Sequence, residues 1–181
     1  MNTDTESNYL VITASGDDRI GLVDRLSARI ADTGCNIEES RMAVLEGKFA
    51  FIMLVSGPWH ALSKLEGQMT TLGEQLGLTI THERTRQREQ PIPAIPYSVE
   101  VVAIDQPGIV RGLAAFFSRN DINIEELQTS TYPAPHTGTP TCTVVMTVGI
   151  PAKVHIPTLR GDFLDYCDDL NLDATFEPVR G

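Results

Sequence analysis

Along this chain, apolar runs typical of strands alternate with apolar residues at helical spacing. Runs rich in β-branched residues, which are typical of strands, occupy positions 9–14 and 97–104. Each run is followed by apolar residues at helical spacing, so we expect a first helix in each half, with Gly34 placed to end the earlier one. The residues with this spacing are Leu22, Val23, Leu26 and Ile30 in the first half, and Ile109, Val110, Leu113 and Phe117 in the second.

Each half then predicts a hairpin of two strands and a second helix. The hairpins end in strands at 49–55 and 141–148, and residues 46–48 form the tight turn of the first hairpin. The second helix is indicated by an apolar stripe spaced i, i+3 and i+7, and a left-handed cap is expected at Gly77 and Asn171, before a last strand. The stripe consists of Leu62, Leu65, Met69, Leu72 and Leu76, repeated as Ile156, Leu159, Phe163, Tyr166 and Leu170.

The two halves are copies of one unit. The second half repeats Asp18-Arg19-Ile20-Gly21-Leu22-Val23 as Asp105-Gln106-Pro107-Gly108-Ile109-Val110, and it repeats Asn36-Ile37-Glu38-Glu39 unchanged as Asn123-Ile124-Glu125-Glu126. Both matches lie 87 positions apart, whereas the helical stripe recurs after 94 positions. The second copy therefore carries an insertion, which we place in the Pro- and Gly-rich segment 133–140 as a longer hairpin loop.

The order β-α-β-β-α-β in each copy predicts an α+β protein of two ferredoxin-like domains. Each domain is expected to be a four-stranded antiparallel sheet with two helices on one face. We place the first domain at 8–86 and the second at 97–179. The Pro-rich segment 87–96 between them is predicted to be a linker, since its prolines cannot continue a helix or a central strand.

Composition narrows the function. The 181 residues carry a net charge of −10, which argues against a protein that grips the DNA backbone. The polar, acidic start differs from a secretory signal, and the longest apolar run, 49–55, is too short to cross a membrane. Three widely spaced cysteines without a CxxC pair are typical of reduced, buried thiols. We therefore expect a cytoplasmic protein that uses no metal or cofactor.

The repeated polar residues lie at two connections, after the first strand and before the second. The start of a helix offers free N–H groups to a carboxylate, and a glycine there lets a ligand approach the backbone. An aspartate can receive an ammonium group, and an asparagine offers both a donor and an acceptor. A small zwitterion would suit these residues, which are Asp18, Gly21 and Asn36 in the first copy and Asp105, Gly108 and Asn123 in the second.

Structural interpretations stand beside this one. The two aspartates could be helix caps, the two asparagines could be turn formers that tolerate left-handed backbone, and the paired glutamates after them are typical of solvated carboxylates. Arg84, Arg86 and Arg88 alternate near the end of the first copy, which indicates one strand face or a small protein-docking patch. No sequence motif of a nucleophile, a metal centre or a nucleotide loop is present.

The repeated motifs resemble the signature of ACT domains, small modules that bind amino acids and regulate. The resemblance rests on 105–110 followed by Asp121-Ile122-Asn123-Ile124, and on their equivalents at 18–23 and 34–37. A closer resemblance, strongest in the segments 9–14, 34–41 and 51–57, is to a family of tandem-ACT regulators of the glycine cleavage genes.

This resemblance implies a non-catalytic regulator that restrains a LysR-type transcriptional activator, with glycine or a similar small amino acid relieving the restraint. It also implies where the effector binds. Copy one departs from the usual motif because Ile20 replaces a proline, so its loop is less pre-set. The implied effector contacts are Asp18, Arg19, Gly21, Asn36 and Ile37 in copy one, and Asp105, Gln106, Gly108, Asn123 and Ile124 in copy two.

Two other functions remain open from the sequence. ACT modules also accompany formyltetrahydrofolate deformylase-like catalytic domains, although two modules and a linker leave no length here for a catalytic pocket. A ligand-independent dimerisation module is the other alternative. Exposed sheet edges in this fold favour association, so a homo-oligomer is expected in either case.

Overall fold

The computed structural model describes residues 8–86 and 93–179. The chain divides between Glu89 and Gln90 into two compact units, called unit 1 and unit 2 below. Each unit contains a four-stranded sheet in which all neighbouring strands are antiparallel. This confirms the predicted α+β class and its ferredoxin-like arrangement.

Unit 1 has the strand order β2-β3-β1-β4, and unit 2 has the equivalent order β6-β7-β5-β8. The elements of unit 1 are β1 (Asn8–Asp17), α1 (Leu22–Asp32), β2 (Asn36–Leu45), β3 (Lys48–Gly57), α2 (Trp59–Glu66), α3 (Met69–Leu76) and β4 (Leu78–Thr85). Those of unit 2 are β5 (Ala94–Ile104), α4 (Ile109–Arg119), β6 (Asn123–Pro133), β7 (Pro140–Pro151), α5 (Ile156–Asp169) and β8 (Asp173–Pro178).

Each unit has its own hydrophobic core between the sheet and the helices. The predicted stripe of the first helix is buried at Leu22, Leu26 and Ile30, whereas Val23 at the edge of the stripe is exposed. In unit 2, Phe117, Phe163 and Phe176 pack with ring centroids 5.2 to 6.4 Å apart, a spacing typical of aromatic pairs. Phe117 and Phe163 take the core positions of Ile30 and Met69, whereas Phe176 takes the position of His82, which is exposed in unit 1.

The turns confirm most of the predicted boundaries. Glu46 and Gly47 both have positive φ angles, 47° and 74°, as a two-residue hairpin turn of type I′ requires. Left-handed backbone follows the helices at Gly34, Gly77 and Asn171, with φ angles of 79°, 60° and 53°. The insertion in the second copy is the loop between Pro133 and Pro140, as predicted from its Pro and Gly content.

The second helix of the first copy was expected to be continuous, and this expectation is wrong. It is divided into α2 and α3 at Gly67 and Gln68. The Gln68 N–H donates to the Leu65 carbonyl, three residues back, so the chain tightens before the helical pattern resumes. Glycine weakens a helix interior, but glycine alone does not cause the break, because the equivalent Gly161 lies within the unbroken α5.

The predicted linker also differs at its end, because β5 already begins at Ala94. Pro96 is tolerated there because its carbonyl accepts from the Val179 N–H, so its nitrogen faces the same side, beyond the end of β8 at Pro178. The Val179 carbonyl would accept from an N–H at this position, and Val179 is exposed, so water can supply the missing donor. Residues 87–92 of the predicted linker lie outside the described residues.

Helix α3 lies unusually close to the start of β4, and a glycine permits the approach. A Cβ atom added to Gly73 would stand 2.7 Å from the backbone oxygen of Leu78. Real side chains do not tolerate such a contact with backbone, so the helix would have to move. By contrast, a Cβ atom added to Gly161 in α5 would meet nothing within 4 Å.

We therefore expect Gly73→Ala to destabilise unit 1 by about 1–3 kcal/mol, the usual cost of overpacking. The matched control Gly161→Ala should be neutral or stabilise unit 2 by up to about 1 kcal/mol through helix propensity. Urea unfolding followed by fluorescence of Trp59, the only tryptophan of the chain, reports on unit 1, and circular dichroism reports on both units. Equal midpoints for Gly73→Ala and the unmodified chain would contradict the close packing of α3.

Candidate functional site

The two connections that carry the candidate residues lie at opposite ends of each sheet. Asp18 follows the last residue of β1, whereas Asn36 opens β2 and pairs with Ser56, which itself pairs with Tyr9 at the start of β1. The length of β1 separates the two connections by roughly 30 Å, at about 3.3 Å per residue. Unit 2 has the same arrangement, so one small molecule cannot touch both connections within one unit.

The glycines of the first connection adopt a left-handed backbone conformation. Gly21 and Gly108 precede α1 and α4 with φ angles of 90° and 100°, and a Cβ atom on either would meet nothing within 4 Å. A left-handed conformation, more than space for a ligand, therefore explains glycine at these positions.

The aspartates of the first connection do not cap the helices. Neither α1 nor α4 has a side-chain hydrogen bond at its N-cap, so the alternative interpretation of Asp18 and Asp105 as caps is wrong. Their backbone N–H groups instead donate to the hairpin ends, Asp18 to the Gly47 carbonyl and Asp105 to the Pro140 carbonyl. Both carboxylates are left exposed at the surface.

Arg19 has a structural contact that its repeat partner cannot make. Its guanidinium donates to the Leu76 carbonyl, at the end of α3, and lies against Gly77. A cation at this place satisfies an orphan carbonyl and interacts favourably with the helix dipole. Unit 2 has Gln106 at the equivalent position, and this side chain forms no hydrogen bond within the part of the chain that is described.

The second connection of unit 1 is closed by hydrogen bonds. A β-bulge between Ile37 and Glu39 turns Glu38 toward its neighbours. The Glu38 carboxylate accepts from Asn36 Nδ2 at 3.1 Å and from the Ser56 hydroxyl, and these bonds lower the pKa of Glu38. Asn36 and Glu38 thus satisfy each other at the turn.

The same turn in unit 2 is open. The bulge recurs between Ile124 and Glu126, but the position of Ser56 is taken by Gly149, which has no hydroxyl. The Glu125 carboxylate lies directly over Gly149, where a side chain would clash. Neither Asn123 nor Glu125 forms a side-chain hydrogen bond with any described residue. The polar side chains of this turn therefore bond each other in unit 1, whereas in unit 2 they are exposed and have no partner among the described residues.

A groove of about 450 Å³ lies beside the open turn. It runs between the edge strand β6 and helix α4, with Asn123 and Asp121 at its polar side. Ile124 is partly buried against the core of unit 2, as Ile37 is in unit 1. The remaining lining residues are Ala114, Ser118 and Ile122.

Asn36 and Asn123 are not left-handed turn formers, so that alternative is also wrong. The residues with positive φ at these turns are Gly34 at 79° and Asp121 at 56°, two positions earlier. Both asparagines already belong to strands, β2 and β6. Their amides are therefore available to side-chain partners.

Comparison with known proteins agrees with this geometry. The ACT domain family model matches residues 8–83. The glycine cleavage system transcriptional repressor of Escherichia coli strain K12 is 34% identical over 175 residues, which cover 97% of this chain and 92% of the repressor. The chain belongs to the family of this repressor. Such a relationship over nearly the whole length supports a regulatory role.

Two solved structures have the same fold as the present chain. A crystal structure described as an unknown protein from Galdieria sulphuraria has a TM-score of 0.77 and 28% identity, and covers 97% of this chain and all of its own. A crystal structure provisionally assigned as a glycine cleavage system transcriptional repressor has a TM-score of 0.74 and 24% identity, over 97% of this chain and 99% of its own. Each of these structures therefore contains equivalents of both repeats.

The described residues also bear on other features, namely metal sites, membrane-spanning helices and reactive cysteines. No group of three or more His, Cys, Asp or Glu side chains could hold a metal ion there, and no helix among them is long and apolar enough to cross a membrane. The three cysteines are free and buried, as predicted. Burial raises the pKa of Cys142, and burial together with nearby Asp168 raises that of Cys167 to about 11, so these two thiols stay protonated.

Sequence reasoning missed one cluster in unit 1. Arg84 donates from Nε and Nη2 to the two carboxylate oxygens of Glu66, at 2.6 and 2.8 Å, and from Nη2 to the Ser63 hydroxyl at 2.9 Å. Its guanidinium also lies 5.9 Å from the centre of the exposed Trp59 ring. The alternating arginines were the available signal. Arg88, the third of them, lies outside the described residues.

The Glu66–Arg84 pair makes the stability of unit 1 depend on pH. The hydrogen bond from Arg84 holds the pKa of Glu66 below its ordinary value of 4.5. A carboxyl with a lowered folded pKa stabilises the protein above its unfolded pKa, and this contribution is lost as the pH falls through the folded pKa.

We therefore expect Glu66→Gln to destabilise unit 1 at pH 7 and to have less effect in acid, below pH 4.5. Urea unfolding of both proteins, followed by Trp59 fluorescence across this range, measures the difference. Glu74→Gln, an exposed position on the neighbouring helix, is the matched control. A constant difference between Glu66→Gln and the unmodified chain at all pH values would refute the ion-pair origin.

Proposed function

We propose that this protein is a cytoplasmic, amino-acid-responsive repressor of glycine cleavage genes that performs no catalysis. It binds a LysR-type activator and releases it when a small amino acid, glycine in the first place, is bound. The observation that carries this proposal is the similarity to the repressor over 97% of the chain. The net charge of −10 supports action through a protein partner, because a DNA-binding surface would need clustered cations.

The effector site that the geometry supports best is the open turn of unit 2. An amino acid in the groove can hydrogen-bond the free amide of Asn123 through its carboxylate. Its ammonium group then lies within reach of the acidic side of the groove, at Asp121 or the adjacent Glu125. In unit 1, Asn36 must first leave Glu38, and that exchange lowers its affinity for a ligand.

The residues of the first connection can contribute to effector binding only at a site formed with a different ACT unit. Asp105, Gln106 and Gly108 lie too far from Asn123 to share a ligand within unit 2, and Asp18, Arg19 and Gly21 lie equally far from Asn36 and Ile37 in unit 1. The edge strands β2 and β6 are exposed along most of their length and favour association between copies. This arrangement makes the proposed homo-oligomer part of the response.

The chain supplies a matched pair of variants for the effector site. We expect Asn123→Ala to weaken glycine binding about tenfold or more, as the loss of one or two hydrogen bonds implies. Asn36→Ala makes the same chemical change in the closed turn and should leave affinity within about twofold. Calorimetric titration with glycine, alanine and serine measures the affinities. No heat and no thermal stabilisation with any of them at millimolar concentration would refute an amino-acid effector.

The partner is tested with purified LysR-type activator from the same organism. The unmodified chain should form a complex that glycine weakens, because the effector and the partner prefer different states of the protein. Asn123→Ala should still form the complex but lose most of the glycine response. Sedimentation of the mixture measures both, and separate sedimentation of the two proteins at micromolar concentration would exclude this partner.

A further inference from the structure

A cleft of about 700 Å³ in unit 1 is lined by none of the candidate effector residues. Helix α2 and the end of β4 form its walls, with Trp59, Glu66 and Arg84 on them. Unit 2 has Lys153, Arg160 and Pro178 at the positions that correspond to these three residues, 94 positions later. The cleft is therefore not a consequence of the shared fold, and the two units differ in chemistry here.

The walls of the cleft are held in place before any partner arrives. Three hydrogen bonds join Arg84 to Glu66 and Ser63, and they hold its guanidinium over one face of the Trp59 ring. Trp59 is 66% exposed, although tryptophan is highly buried on average in folded proteins. A rigid, exposed tryptophan beside an ordered arginine has the composition of a binding hot spot.

The charge around the cleft is opposite to that of the whole chain. The Glu66 carboxylate is neutralised by Arg84, whereas Arg86 at the rim is exposed and its side chain has no partner among the described residues. Glu83 lies between the inward positions of β4, on the other face of the strand. The cleft is thus locally cationic on a protein with a net charge of −10.

We propose that this cleft receives an acidic segment of the protein partner, with an apolar side chain packed against Trp59 and a carboxylate facing Arg86. The identity of that partner rests on the proposed function. Complementary charges bring an acidic segment to this site on a molecule that otherwise repels it. Unit 1 then provides the docking surface, while the open turn of unit 2 senses the effector.

Trp59 supplies a direct test because it is the only tryptophan of the full chain. Incorporation of 5-fluorotryptophan gives one ¹⁹F resonance, and unlabelled LysR-type activator is then added. We expect this resonance to shift or broaden as the complex forms. Arg86→Glu should weaken the complex about tenfold, and Arg25→Glu, on the exposed side of α1, serves as the matched charge-reversal control.

Each other outcome overturns the inference in a recognisable way. An unmoved resonance while sedimentation shows the complex would place the partner elsewhere and leave the proposed function intact. Equal effects of Arg86→Glu and Arg25→Glu would show that the partner responds to the overall charge of the chain and does not dock in the cleft. A resonance that moves with the concentration of this chain alone would assign the cleft to a second copy. Absence of any complex with the unmodified chain would contradict the proposed partner and this docking site together.

Discussion

The Glu38 carboxylate accepts hydrogen bonds from Asn36 and from Ser56, and the difference between the two repeats depends on this small network. Where unit 1 has the serine hydroxyl, unit 2 has Gly149, and the same bulged glutamate has no hydrogen-bond donor among the described residues. An exposed amide and carboxylate beside a groove are more readily engaged by a ligand than a pair that must first break its own hydrogen bond. One change on a neighbouring strand thus separates two otherwise equivalent turns.

The direction of the strands sets the second constraint. Since β2 runs parallel to β1 with β3 between them, the two repeated motifs of each unit stand at opposite ends of the sheet. A single unit can offer a ligand only half of the residues that the motifs contain. A ligand that touches both motifs must therefore contact two different ACT units.

Periodicity was sufficient to predict the fold of each repeat, and the failures have local causes. The stripe from Leu62 to Leu76 is continuous in sequence, yet a tightened turn at Gly67 and Gln68 divides it into two helices, although the equivalent Gly161 lies within an unbroken helix. Pro96 reads as a strand breaker, but its nitrogen faces a side where β8 has ended. The spacing of apolar residues predicts which face of a helix is buried. It does not predict where a strand can accept a proline, which has no backbone N–H.

The candidate site was predicted less completely, because recurrence does not separate ligand contacts from backbone requirements. Gly21 and Gly108 recur for their left-handed φ, and Arg19 is occupied at the end of α3. The significance of Gly149 is invisible until the register places it opposite Asn123. Likewise, Trp59 and Arg84 are 25 positions apart in the chain, and only the fold brings their side chains together.

Backbone amide shifts of the ¹⁵N-labelled full chain during a glycine titration test the central claim most directly, because they report both repeats in one sample. The account predicts saturable shifts at Asp121 to Glu125 and in the facing end of α4, with the turn at Asn36 to Glu38 nearly unmoved. Saturable shifts centred on the turn of unit 1, or equal shifts in both turns, would contradict it.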